Sequence, residues 1–143
     1  MSYISKINPE NAGEKEKKVI EEHLAQGYKL NNEKLTLLHR ELRRLGGKRA
    51  GDFFECASSE ENDCLVCSTY FRKLLKENGI DFDTFEFTDK ENLLISFGRA
   101  LARDPKNVPE EIYAQLKEQF TEEEIVVITA MGVMMIANNY FND

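Results

Sequence analysis

Cys64 and Cys67 lie three residues apart in a stretch that has the signals of a helix. Asp63 is a favourable N-cap, apolar residues follow at helical spacing, and Gly79 supplies a stop, so the pattern predicts a helix that begins at Cys64. This spacing places both cysteines on one helix face, where their sulfurs can form a disulfide. Unpaired N–H groups and the helix dipole stabilise a thiolate at a helix start. The motif therefore indicates a redox-active dithiol.

Two other interpretations of the motif remain open. The same spacing supplies half of a zinc site, and it also occurs where two small buried residues pack in a helix. A complete zinc site needs further ligands, and His23 and His39 are distant in sequence. Cys56, the third cysteine, is interpreted first as a packing residue, with a resolving thiol or a third zinc ligand as alternatives. We predict no metal and no cofactor.

Composition restricts the class of protein. A chain of 143 residues with 41% hydrophobic residues predicts a single domain, residues 1–143. The net charge of −7 argues against nucleic acid and anionic membranes as partners. The basic run at residues 40–49 is interpreted as a solvated helix end rather than a phosphate site.

Location is predicted from the ends of the chain. The first ten residues lack the apolar region of a signal peptide, and residues 125–142 contain too short a continuous apolar run to span a bilayer. We expect a cytoplasmic protein without a membrane segment. In that reducing compartment a CxxC pair is more often catalytic or metal-binding than structural.

Hydrophobic spacing and capping residues predict an all-α bundle of about six to seven helices, with capping boxes at Thr88 with Glu91 and at Thr121 with Glu124. The predicted helices cover residues 9–27, 31–45, 64–78, 88–103, 109–119 and 121–139, with a short helix or irregular piece at 50–57. Residues 58–62 are predicted to be a polar loop, and residues 80–87 an extended linker.

The last helix is apolar on more than one face, which predicts burial nearly all round. Either it lies in the centre of the bundle or a second copy of the chain covers it, and Gly132 would allow that copy to approach closely. We predict a homo-oligomer with the dimer as its smallest unit and a trimer or hexamer as larger alternatives.

The CxxC motif, residues 97–105, residues 120–126 and the asparagine-rich end at 138–143 together resemble the carboxymuconolactone decarboxylase family, in its alkyl hydroperoxidase D-like branch. The resemblance covers about residues 46–143. It implies an all-helical oligomer whose CxxC performs thiol-disulfide exchange, and some members of the family reduce hydroperoxides.

The resemblance also implies roles for individual residues. It makes Cys67 the cysteine that is oxidised to sulfenic acid and Cys64 its partner, whereas the helix dipole favours Cys64 as the thiol of lower pKa. The family's relay carboxylate falls near Asp52 or Glu55. Closer carboxylates in the sequence are Glu60, Glu61 and Asp63.

The sequence departs from the family at two positions, because Val66 and Phe71 stand where relatives carry histidine. Without these acid-base groups, peroxide chemistry should be weak. We therefore predict an enzyme, a thiol-disulfide oxidoreductase with weak peroxide reduction, acting on a hydroperoxide or disulfide with an unidentified thiol electron donor. The alternatives are a non-catalytic helical oligomer or binding protein that keeps the fold, and a lactone decarboxylase-type enzyme.

Overall fold

The computed structural model describes residues 33–142, with the backbone alone at 33–39, and four separate residues nearer the N-terminus, Glu14, Lys18, Glu21 and Ala25. Apart from those four residues, the helix predicted at 9–27 lies outside the described residues. The first two residues of the helix predicted at 31–45, His23 and the side chain of His39 also lie outside them.

Between residues 33 and 142 the fold is all-helical, as predicted, with six helices and no strand. They are α1 (Glu33–Gly46), α2 (Ala50–Glu61), α3 (Leu65–Glu77), α4 (Asp89–Arg103), α5 (Glu110–Gln119) and α6 (Glu122–Asn142).

Helix α2 forms the centre of the bundle. It packs against α1, α3, α4 and α6, and every residue from Ala50 to Ser59 is buried. A helix that is enclosed on all sides holds its own ends in fixed positions, and the chain that leaves the last turn of α2 leads directly to Cys64. The position of the cysteine motif is therefore set by the most enclosed helix of the fold.

Phe54 of α2 is fully buried and lies against two glycines on neighbouring helices. A Cβ atom on Gly98 of α4 would come within 3.0 Å of the Phe54 ring and 2.8 Å of the Ser58 hydroxyl. A Cβ atom on Gly132 of α6 would come within 3.2 Å of the ring and 2.6 Å of Leu101. The glycines therefore let α4 and α6 approach α2 closely. Gly132, expected at an interface between copies, instead serves packing within one chain.

Two predicted helix starts and one predicted helix stop agree with the structure. Thr88 and Glu91 form the expected capping box at the start of α4. A second capping box joins Thr121 and Glu124 at the start of α6, where each residue's N–H donates to the other's side chain. Gly79 follows α3 with φ of 75°, in the left-handed region that favours glycine. Residues 80–87 contain no helix, as expected of a linker.

The loop predicted at residues 58–62 is wrong, because α2 continues to Glu61. Serines usually favour loops since their hydroxyls compete with helical backbone bonds. Here both hydroxyls are satisfied inside the helical bundle. Ser58 donates to the Phe54 carbonyl at 2.8 Å, and Ser59 donates to the Asn139 side chain of α6 at 3.2 Å. A contact with a helix 80 residues away in sequence therefore extends α2.

The prediction that the last helix is buried nearly all round is wrong for the single chain. The buried face of α6 carries Ile128, Met131, Gly132, Met135 and Asn139. Its opposite face exposes large apolar side chains, Val126, Val133, Tyr140 and Phe141. By length and composition α6 is also the one helix among the described residues that could cross a membrane, a property shared by core helices of soluble proteins.

We predict that Gly98→Ala lowers the free energy of unfolding by about 1 kcal/mol. Overpacking against Phe54 and Ser58 costs about 1–3 kcal/mol, and the better helix propensity of alanine offsets about 1 kcal/mol of that. Chemical denaturation measures the effect. In a Phe54→Leu background, which removes the ring, the same substitution should cost less. An unchanged or raised stability of Gly98→Ala in the otherwise native chain would show that the close approach is not restrictive.

Candidate redox site

Cys64 and Cys67 are joined by a disulfide at the start of α3, with their Cα atoms 5.4 Å apart. The structure thus brings the two predicted cysteines together. Cys64 is the N-cap residue of α3, and its extended backbone allows its sulfur to accept the backbone N–H of Cys67 at 3.3 Å. One sulfur of the pair therefore occupies the position where a helix binds negative charge best.

The expectation that Asp63 caps this helix is wrong. Asp63 has φ of 56°, in the left-handed region, and its N–H donates to the Glu60 carbonyl. Aspartate tolerates this conformation better than most residues, and the resulting turn carries the chain past α2 so that Cys64 reaches the cap position. The helix itself begins at Leu65, one residue later than predicted.

The disulfide is buried beneath an exposed apolar surface. Cys64 and Cys67 are 1% and 6% exposed. Leu65 and Val66, the two residues between them, are 74% and 64% exposed, and Tyr70 one turn later is 61% exposed. We call these three residues the apolar rim. The exposed side chains nearest to the two cysteines in the sequence are therefore apolar.

A polar network fixes the turn between α2 and α3. Asn139 of α6 is 1% exposed; its side-chain oxygen accepts from Ser59, and its amide donates to Asn62 at 3.2 Å. Asn62 in turn donates to the Ala102 carbonyl of α4 at 3.1 Å. The N–H of Cys64 donates to the Ser59 carbonyl at 3.0 Å. The turn is thus bonded to three different helices immediately before the first cysteine.

Asp52 and Glu55, the carboxylates suggested as relay groups, lie on the buried part of α2. Asp52 pairs with Arg43 of α1 at 3.2 Å and lines a cavity of about 300 Å³ with Leu74 and Leu75. Those leucines are two turns beyond Cys67 on α3, and at 1.5 Å per residue Asp52 lies about 13 Å along α2 from its last residue. The position of Asp52 does not favour direct proton transfer to or from the thiols that Cys64 and Cys67 form on reduction. Glu55 lies one turn closer, about 9 Å from the end of α2.

Glu60 forms the centre of an ion cluster that sequence reasoning missed. Arg72 of α3 binds Glu60 and also makes two hydrogen bonds to Asp83, at 2.7 and 2.8 Å. Arg99 of α4 lies 3.6 Å from Glu60. The hydrogen bonds raise the pKa of Arg72 and lower the pKa of Asp83. The cluster joins α2, α3, α4 and the linker at residues 80–87. Within it, the Glu60 carboxylate is paired with both Arg72 and Arg99.

Cys56 is a buried free thiol packed among apolar residues of α2, α3, α4 and the linker. Burial, followed by the negative charge of Glu60, raises the pKa of the Cys56 thiol to about 12. Its sulfur lies 4.0 Å from the Glu60 carboxylate, toward which the thiol donates. Because a neutral thiol is a poor nucleophile, the structure supports the packing interpretation of Cys56 over a resolving role.

Phe71 stands at the position where the resembled family carries histidine. Its ring is half-buried and packs against two clusters of buried apolar residues, one around Phe54 and one around Phe53. Its ring meets Tyr70 edge to face at 5.2 Å. Val66 is exposed on the rim. Hydrocarbon groups therefore occupy both positions. Within the part of the chain that the structure describes, no three His, Cys, Asp or Glu side chains form a potential metal-binding group.

No protein-family model matches the chain, and searches of curated proteins and of solved structures gave no match either. The family resemblance in the sequence stays a prediction.

We predict that the raised pKa of the buried Cys56 thiol makes the free energy of unfolding fall as the pH rises from about 9 to about 12. The folded state keeps this thiol protonated up to about pH 12, whereas the unfolded chain loses the proton near the ordinary pKa of 9.0. Since the unfolded state then binds fewer protons, stability falls across this window. Denaturation at several pH values, with the Cys64–Cys67 disulfide intact, should show a shallower alkaline loss for Cys56→Ala than for the native chain. Parallel pH profiles would contradict the assignment.

Proposed function

We propose that this protein is a thiol-disulfide oxidoreductase that uses Cys64 and Cys67 as its reactive dithiol. The observation that carries the proposal is the position of the disulfide at the N-terminus of α3, with the Cys64 sulfur accepting the Cys67 N–H. A helix start lowers the free energy of a thiolate relative to the thiol. The thiolate is the form that attacks and leaves in thiol-disulfide exchange.

The two cysteines have different chemical roles in this proposal. A donor thiolate attacks the Cys67 sulfur, the Cys64–Cys67 bond breaks, and its electron pair leaves on Cys64 as a thiolate at the helix N-cap. A second donor thiolate then attacks the donor sulfur of the mixed disulfide, which releases Cys67 and forms the donor disulfide. The better-stabilised thiolate is the better leaving group, and Cys67 is the slightly more exposed of the two. This assignment agrees with the family resemblance, which makes Cys67 the cysteine that is oxidised to sulfenic acid.

In the opposite direction the dithiol reduces a substrate. The Cys67 thiolate attacks a substrate disulfide, and Cys64 then attacks Cys67 to restore the internal disulfide. With a hydroperoxide, the Cys67 thiolate would attack the terminal oxygen, the O–O bond would break, and Cys67 would become a sulfenic acid as the alcohol leaves. Attack by Cys64 would then release water and form the internal disulfide again. The departing oxygen needs a proton, and the hydrocarbon side chains of Val66 and Phe71 cannot supply it. We therefore propose disulfide exchange as the main activity and peroxide reduction as a weak one, in the cytoplasm as the sequence suggests.

The electron donor must reach a disulfide that is nearly buried. The apolar rim of Leu65, Val66 and Tyr70 would be covered by a donor protein in contact with the sulfurs, and burial of such side chains stabilises association. A donor that presents its thiol on an apolar surface should therefore react faster than a charged small thiol such as glutathione, which still reaches equilibrium with the same sulfurs on longer incubation.

We predict that the two single-cysteine variants behave differently with a thiol-reactive disulfide reagent. Cys64→Ser leaves Cys67 unable to form the internal disulfide, so it should accumulate a stable mixed disulfide with oxidised glutathione, detected as a mass increase. Cys67→Ser should accumulate less, because the remaining Cys64 thiol is more enclosed. Cys56→Ala, with the motif intact, serves as the control and should retain no adduct at equilibrium. Absence of any adduct in both motif variants would defeat the redox proposal.

We also propose that the chain assembles into a homo-oligomer through α6. Five of the exposed and half-exposed residues of this helix form a stripe at alternating steps of four and three residues, Val126, Ala130, Val133, Ala137 and Tyr140. Alternating steps of this kind are those of helices that pack together along their length, and the small alanines permit close approach. This stripe is the observation that favours assembly, whether or not the dithiol is active.

We predict that the native protein has at least the mass of a dimer by light scattering at micromolar concentration. Val133→Glu places a charge in the middle of the stripe and should shift the mass toward that of the monomer. Lys117→Glu, on the exposed surface of α5, introduces the same side chain elsewhere and should leave the mass unchanged. A native protein that is monomeric under these conditions would rule out the assembly.

A further inference from the structure

We propose that Asn139 is a positioning residue for the Cys64–Cys67 disulfide, holding the turn that sets the equilibrium between disulfide and dithiol. This inference rests on the proposed redox function and concerns the same site. Its basis is the network in which the Asn139 side chain bonds both to Ser59, in the last turn of α2, and to Asn62, in the turn that leads into Cys64.

The environment of Asn139 explains why these bonds are effective. Asn139 is 1% exposed on the inner face of α6, so water does not readily replace its hydrogen bonds to Ser59 and Asn62. Removal of a buried partner leaves polar groups without a hydrogen bond, which is far less favourable than leaving them in solvent. The network therefore ties the turn to α6 in one geometry.

The second bond of Asn62 extends the constraint to another helix. Its amide donates to the Ala102 carbonyl near the end of α4, and the next residue, Arg103, pairs with Glu61 at 2.7 Å. Asn139 thus holds Asn62 from one side while α4 holds it from the other. Cys64 follows two residues later and is itself bonded to Ser59 through its N–H.

A fixed turn favours the disulfide over the dithiol. In the dithiol form no covalent bond joins the two sulfurs, so the network, together with the cap bond from the Cys67 N–H, keeps the Cys64 sulfur close to Cys67. This raises the effective concentration of one thiol at the other. Without Asn139, the turn gains conformational freedom mainly in the dithiol form, because the disulfide still restrains Cys64 in the oxidised form. Loss of the network should therefore shift the equilibrium toward the dithiol.

The test equilibrates the full-length protein with mixtures of reduced and oxidised glutathione and counts alkylated thiols by mass. Asn139→Ala should lower the equilibrium constant for disulfide formation about tenfold, which corresponds to a reduction potential about 30 mV less negative. Asn62→Ala, at a half-buried position, should shift it in the same direction and provides a second measurement if Asn139→Ala folds poorly. Ile128→Val, on the buried face of α6 but outside the network, is the stability control.

The outcomes separate this inference from the function on which it rests. A shift in both asparagine variants, with Ile128→Val melting at a lower temperature but keeping the native constant, supports the positioning role. If the asparagine variants melt earlier yet keep the native constant, Asn139 is only structural and the inference is wrong. If the native protein shows no equilibrium with glutathione at all, the redox function fails, and the positioning role with it.

Discussion

The enclosure of α2 is the constraint on which the other features depend. The ring of Phe54 lies between Gly98 and Gly132, which brings α4 and α6 against the central helix. This close packing leaves little room for the ends of α2 to move. The disulfide lies just beyond one of those ends, so the packing of the core, more than the motif itself, fixes the position of the two cysteines.

Polar contacts transmit that constraint from the core to the cysteines. Two buried or half-buried amides, Asn139 and Asn62, continue the packing of α4 and α6 into the turn before Cys64. The left-handed backbone of Asp63 then redirects the chain, and the Cys64 sulfur becomes the cap of the next helix. Hydrophobic packing alone would hold α2 in place but would not fix the direction in which the chain leaves it.

The site combines this rigid support with an unusually apolar opening. Val66 and Phe71 provide no acid-base group beside the sulfurs, and Cys56 is kept neutral by burial. Thiol-disulfide exchange needs a stabilised leaving thiolate and correct alignment more than it needs a proton relay. The chemistry that the site supports best is therefore the one that depends on geometry.

Sequence reasoning succeeded where the determinants were local. Apart from the N-cap expected at Asp63, these local signals hold: the cysteine spacing, the two capping boxes and the Gly79 stop each depend on a few consecutive residues, and the structure has all of them. It failed where distant residues decide. Ser59 remains helical because Asn139 accepts its hydroxyl, and Gly132 packs inside the chain because Phe54 lies opposite it. The pairing of Arg72 with Glu60 and Asp83 likewise has no local signal, since it depends on how α3 lies against α2 and the linker.

The account depends most directly on whether Cys64 and Cys67 interconvert reversibly between disulfide and dithiol in the folded protein. Titration of free thiols in the native state, first after mild oxidation and again after reduction with a dithiol reagent, measures this. We expect two additional reactive thiols on reduction, located by peptide mass at Cys64 and Cys67, which disappear again on reoxidation while Cys56 stays slow to react. Motif thiols that remain free after oxidation, or that form disulfides only with Cys56 or between chains, would contradict the account.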